Sequence, residues 1–228
     1  MKMRHSFVLL AATVCMALTF DACKKGGSND DDNKPTEQPG KIPGMGETAG
    51  TPEGEQYVLP AGITLSGTIV GDYCDTTYQV GSGEFAAVCV GLLNSKTKDT
   101  TIILPAGLVI LSTNAEYQHG VVVQEARILL KAKKITRVGL GAYCINSHKS
   151  PSSYSVTYTL GPVSSSPLMK ELIGLLRNKK TSKSEFANED LYQEASSNIQ
   201  GLVWGITDDM GSADPAVRQI YLDKIPNK

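Results

Sequence analysis

The chain has 228 residues, 22 of them basic and 23 acidic, for a net charge of −1 at pH 7. A near-neutral balance excludes the broad basic surface that nucleic-acid binders use to neutralise phosphates. At 41% apolar residues the chain can build a core, but aromatic residues are only 6%.

The first segment, MKMRHSFVLLAATVCMALTFDAC, has Lys2 and Arg4 ahead of an apolar run from Phe7 to Phe20. The run is too short to favour a spanning helix. It has the layout of a secretory signal, with Ala22 before the cut and Cys23 after it. The box Phe20-Asp21-Ala22-Cys23, followed by Asp30, Asp31 and Asp32, resembles the signals of Bacteroides-type surface lipoproteins. That resemblance implies lipidation at Cys23 and a lipid-anchored position at the outer membrane or cell surface. The membrane is then a partner through the N-terminal lipid alone, and no later run is long enough to span a bilayer. The expected signal is residues 1–22. Residues 23–56, rich in Gly, Pro, Ser and charge, are expected to form a flexible tether, because such a segment cannot bury enough surface to order itself.

Residues 57–228 are expected to be a single domain. Its first part reads as short strands rich in β-branched residues: 63–71, 84–93, 99–104, 107–113, 119–124, 126–132, 136–145 and 154–161. Such spacing favours an antiparallel β-sandwich or barrel. The tetrapeptide LPAG recurs at 59–62 and 104–107 ahead of apolar runs, which reads as repeated corner chemistry. After Pro162 the period changes to helical. Ser166 with Pro167, and Asp214 with Pro215, are cap-and-start signals. Between them, Leu191, Ala195, Ile199, Leu202 and Ile206 recur at helical spacing. Strands first and two to three helices last, from about residue 167, define an α+β class.

Cys15 leaves with the signal and Cys23 is assigned to the lipid, so Cys74, Cys89 and Cys144 remain in an oxidising compartment. Cys74 and Cys89 flank a Gly-rich turn and could close a hairpin; a loop of that length is worth about 3 kcal/mol in the chain-entropy model. Cys89 with Cys144 is equally allowed by spacing. Cys144 is thus buried filler, half of a disulfide, or a reactive thiol.

Two stretches, GAYCIN (141–146) and NIQGLVWGITD (198–208), together resemble the thioester domains of Gram-positive surface adhesins. Ile199 and Leu202 stand where that family's TQxA motif has Thr and Ala. The resemblance implies a thiol at Cys144, an acyl donor at Gln200, and Trp204 one turn further along the same helix face. It also implies a covalent adhesin whose thioester an amine on a host surface attacks.

Other chemistry is thinly represented. His119 and His148, the histidines left after the cut, lack neighbours at zinc-ligand spacing. No GxSxG elbow, P-loop or GxGxxG occurs. Asp208 and Asp209 are adjacent, which suits a cap better than a glycosidase pair. Tyr117, Tyr143, Tyr154 and Tyr158 could form an exposed patch for a sugar or protein, or could cover the sheet. The expectation is a surface binding or adhesion module for a host protein or glycan, without catalytic turnover, without metal or cofactor, and with no nucleic-acid partner. The thioester adhesin is the alternative within that class. A glycan-processing enzyme, or an accessory protein of glycan uptake, is the alternative outside it.

Overall fold

The computed structural model describes residues 37–72, 74–76 and 78–228; the expected signal, Cys23 and the Asp30–Asp32 run lie outside them. The fold is α+β. The strands are β1 (Gly54–Gln56), β2 (Ile63–Leu65), β3 (Ile69–Gly71), β4 (Gln79–Gly81), β5 (Val88–Asn94), β6 (Thr100–Leu104), β7 (Leu108–Ser112), β8 (Gly120–Val121), β9 (Ala126–Leu130), β10 (Ile135–Gly141), β11 (Tyr143–Cys144) and β12 (Thr157–Ser164). Three helices follow: α1 (Pro167–Leu176), α2 (Glu189–Thr207) and α3 (Pro215–Asp223).

The large sheet runs β11-β8-β7-β12-β3-β5-β10-β4, with β1 on β12 and β2 on β5. Its ladders are antiparallel except β10–β4, which is parallel. A separate β6–β9 ribbon pairs Ile102 with Ile128 and contributes Ile102, Leu104, Ile128 and Leu130 to one core. The opposite face of the β7–β8–β11 end meets the helices, giving a second core. The central strands supply both cores because successive side chains point to opposite faces. In β7, Leu108 and Ile110 enter the first core and Val109 the second; around β11, Ala142 enters the first while Tyr143 and Ile145 enter the second. This explains why these runs read as continuously apolar, whereas β5 and β9, covered on one side, alternate.

The two LPAG copies build the same turn. Ile63 N donates to Pro60 O at 2.9 Å and Leu108 N to Pro105 O at 3.2 Å. Gly62 and Gly107 have φ 82° and φ 89° respectively, in the left-handed region that a side chain would resist. Gly161 and Pro162 fall at a register shift between β12 and β7, where Pro is tolerated within a sheet.

Helix starts follow their capping residues. Ser166 Oγ accepts from Met169 N, Asn188 from Leu191 N, and Asp214 from Ala216 N and Val217 N. Ser166 Oγ also donates to Glu37 Oε2 at 2.7 Å, and Leu168 N donates to the same oxygen at 3.1 Å. A carboxylate therefore sits on the positive end of α1.

Glu37 belongs to the segment expected as tether, and here the structure corrects the boundary. Residues 37–56 are part of the domain. Ile42 and Met45 are fully buried in the second core. Gly40 N donates to Ile206 O, and Gly46 N to Ile145 O at 2.7 Å. The mean polarity of the segment hides its two apolar anchors. Its backbone polar groups are satisfied by the end of α2 and by the loop after β11, so no regular element is needed to bury it.

Candidate functional site

β11 closes one end of the large sheet, with Tyr143 opposite Val121 and Cys144 opposite Gly120. On an edge strand every second residue turns its N–H and C=O away from the sheet. Those of Cys144 are met by one side chain from α2. Cys144 N donates to Gln200 Oε1 at 3.0 Å, and Gln200 Nε2 donates to Cys144 O at 2.8 Å. The carboxamide thus lies along the Cys144 backbone as a further strand would, fixing its carbonyl carbon beside the residue that carries the thiol. Cys144 is fully buried and Gln200 is 3% exposed.

Burial pushes the Cys144 thiol up to about 12. Asn146 N donates to Sγ at 3.3 Å, and the Trp204 indole N–H lies near enough to favour the thiolate slightly. Neither offsets desolvation. Trp204 Nε1 reaches full hydrogen-bond geometry with no partner among the described residues. One face of Trp204 stacks on Phe85, with ring centroids 5.7 Å apart and planes at 29°. That is the offset arrangement aromatic rings prefer. Neutral species are therefore favoured at the sulfur.

A recess of about 120 Å³ is bounded by Gln200, Glu84, Phe85, Gln193, Ser196 and Ser197. Gln193, Ser196, Ser197 and Gln200 recur at helical spacing, so they make a polar stripe on a helix otherwise buried by Ile199, Leu202 and Val203. Tyr143 carries its phenol into the same layer beside Ser82 and Ser196, and burial raises its pKa. Tyr192 Oη accepts from Gly83 N at 3.3 Å, tying the loop after β4 to α2.

The loop after β11 joins the site to the N-terminal segment. Asn146 Nδ2 donates to Gly46 O at 2.9 Å, while its Oδ1 accepts from His119 N. His119 Nδ1 accepts from Ser112 N at 3.0 Å, and burial, with Lys149 nearby, pushes the imidazole down to about 4. Asp208 caps the end of α2, accepting from Ser147 N and Oγ.

Of the residues singled out from sequence, Cys144, Gln200 and Trp204 come together. Cys74 and Cys89 are joined as a disulfide, leaving Cys144 as the free cysteine among the described residues. The tyrosines do not form a patch: Tyr143 and Tyr158 are buried, while Tyr154 is exposed. No group of three or more His, Cys, Asp or Glu residues is placed to hold a metal among the described residues, and no described helix is long and apolar enough to cross a membrane. Sequence reasoning missed Glu84, Phe85 and Asn146. The polar stripe of α2 was a readable signal; Glu84 and Phe85 gave none, because only the tertiary fold lays their loop over α2.

Chemically, the site sets the Gln200 carboxamide against the backbone of a residue that carries a free, buried thiol. The Cys144 N–H on Oε1 is placed to stabilise negative charge developing on that oxygen during attack at the carbon. Comparison with family models, curated proteins and solved structures finds no match to this chain.

Proposed function

We propose that this protein is a lipid-anchored surface module that binds its target covalently through an internal thioester between Cys144 and Gln200. The thiol sulfur attacks the Gln200 carboxamide carbon, the C–N bond breaks, and the nitrogen leaves as ammonia with the thiol's proton. An amine on the target then attacks the same carbon and the C–S bond breaks, leaving an amide to the target and a restored thiol. Each chain reacts once, so the module binds without turnover.

The observation carrying this reading is the two-point hydrogen bonding of the Gln200 carboxamide to the Cys144 backbone inside a buried, aromatic-capped site. Burial that disfavours a thiolate does not disfavour a thioester, which is uncharged. In the reacted chain Oε1 keeps the Cys144 N–H, whereas Nε2 has gone.

Intact-mass measurement of the purified full chain tests the proposal. The expected mass is short by one ammonia, the deficit is absent in Cys144→Ala and in Gln200→Ala, and methylamine converts the wild type to an adduct. A wild-type chain at its full calculated mass rejects the thioester and leaves the amide as a structural clamp on β11.

A further inference from the structure

The mouth of the recess over Gln200 carries one carboxylate, that of Glu84. Gln193 Nε2 donates to Glu84 Oε1 and, at 3.1 Å, to Glu189 Oε1. Lys183, which lines the neighbouring hollow with Glu84, is held by Glu189 at 2.5 Å. Glu84 itself has no ion pair among the described residues. The other titratable groups facing it are the phenols of Tyr143 and Tyr192, which stay neutral when buried. The opening is therefore net acidic, and its acidic group is free to take a cation.

We propose that Glu84 is the residue that admits and deprotonates the attacking amine at Gln200. This rests on the thioester reading above and assigns the site a selectivity for cationic primary amines such as lysine side chains. The carboxylate attracts the ammonium and gathers it at the recess, where the ammonium loses one proton to bulk water. After the deprotonated amine attacks the carbonyl carbon, its nitrogen carries a positive charge and two protons, one of which passes to Glu84. The C–S bond then breaks, the sulfur takes a proton and leaves as the thiol, and Glu84 returns to its carboxylate. Protonation of the sulfur matters because burial makes the Cys144 thiolate a poor leaving group. Phe85, beside Glu84 and stacked on Trp204, gives the recess an apolar wall.

The test compares the full-length wild type, Glu84→Gln and Glu84→Asp, using methylamine as probe and intact mass as readout. All three are expected to lack one ammonia before the probe is added. Adduct formation is expected to slow at least about tenfold in Glu84→Gln and to recover partly in Glu84→Asp, as loss of a positioned proton acceptor predicts. The gap should narrow as salt is raised, because a solvent-facing carboxylate's attraction for an ammonium is screened. A purely structural role would leave that salt dependence unchanged. Glu84→Gln reacting at the wild-type rate at every salt concentration overturns the proposal and leaves the thioester intact. A folded Glu84→Gln chain that keeps its ammonia also overturns it, since the residue would then serve bond formation. A wild-type chain with no ammonia deficit removes both readings.

Discussion

Gln200 is the residue on which local structure and chemistry meet. It satisfies two buried backbone groups of Cys144 that no strand reaches. A buried polar group left unpaired costs about 1–3 kcal/mol. On a Cys144→Ala background, where no thioester can form, Gln200→Ala is therefore expected to lower unfolding free energy by about 2–4 kcal/mol. Chemical denaturation measures this; an unchanged midpoint would show that the pair contributes nothing to the fold. His119 supplies a pH signature. Its folded pKa, about 4, lies below the ordinary 6.5, so the unfolded chain binds a proton that the folded chain refuses. Stability should then fall as pH is lowered from about 6.5 towards 4 and level off below. The ring is partly open to water, so the expected loss is about 1–3 kcal/mol. In His119→Asn, which can still offer Ser112 N an acceptor, that fall should be missing from denaturation curves taken across the window.

Among the elements, the segment before β1 does most to define the site's surroundings. Met45 and Ile42 fill the second core, Gly46 N closes on Ile145 O, and Glu37 caps α1. Gly46 has φ 56°, and a Cβ there would lie 2.0 Å from Thr207 O. Only glycine permits the approach. Met45→Ala is expected to cost about 2–5 kcal/mol through cavity formation. A chain starting at residue 57 should melt well below one starting at residue 37 in thermal unfolding followed by circular dichroism. Equal Tm values would mean that the segment is an ornament on an independent fold. The Cys74–Cys89 disulfide joins the loop after β3 to β5.

For the molecule as a whole, the proposed anchor and the proposed chemistry involve the same stretch of chain. Gly46, in the segment that begins at Glu37, is bonded to Ile145 and Asn146, the residues directly after Cys144. Under the proposed function, tension between a captured target and the lipid would cross a short path through these bonds. The anchor is testable separately from the chemistry. Metabolic labelling with a fatty-acid probe is expected to mark the protein, and Cys23→Ala should release it from membranes while leaving the ammonia deficit unchanged. Unlabelled wild-type protein would remove the anchor from the reading without touching the thioester.

The sequence by itself determined the class of fold, the starts of α1 and α3, the LPAG corners and most strands, because each rests on local signals: capping residues, fixed turn geometry and a period of two or near four. It also brought Cys144, Gln200 and Trp204 into one hypothesis by resemblance. It misjudged residues 37–56, where two apolar side chains in a polar segment suffice once neighbouring elements satisfy the backbone. Only the tertiary structure decided the pairing of Cys74 with Cys89 over Cys89 with Cys144, the burial of Tyr143 and Tyr158, and the placement of Glu84 and Phe85 over Gln200. Each of these depends on which distant segments share a face, and contacts between residues far apart in sequence leave no local pattern to read.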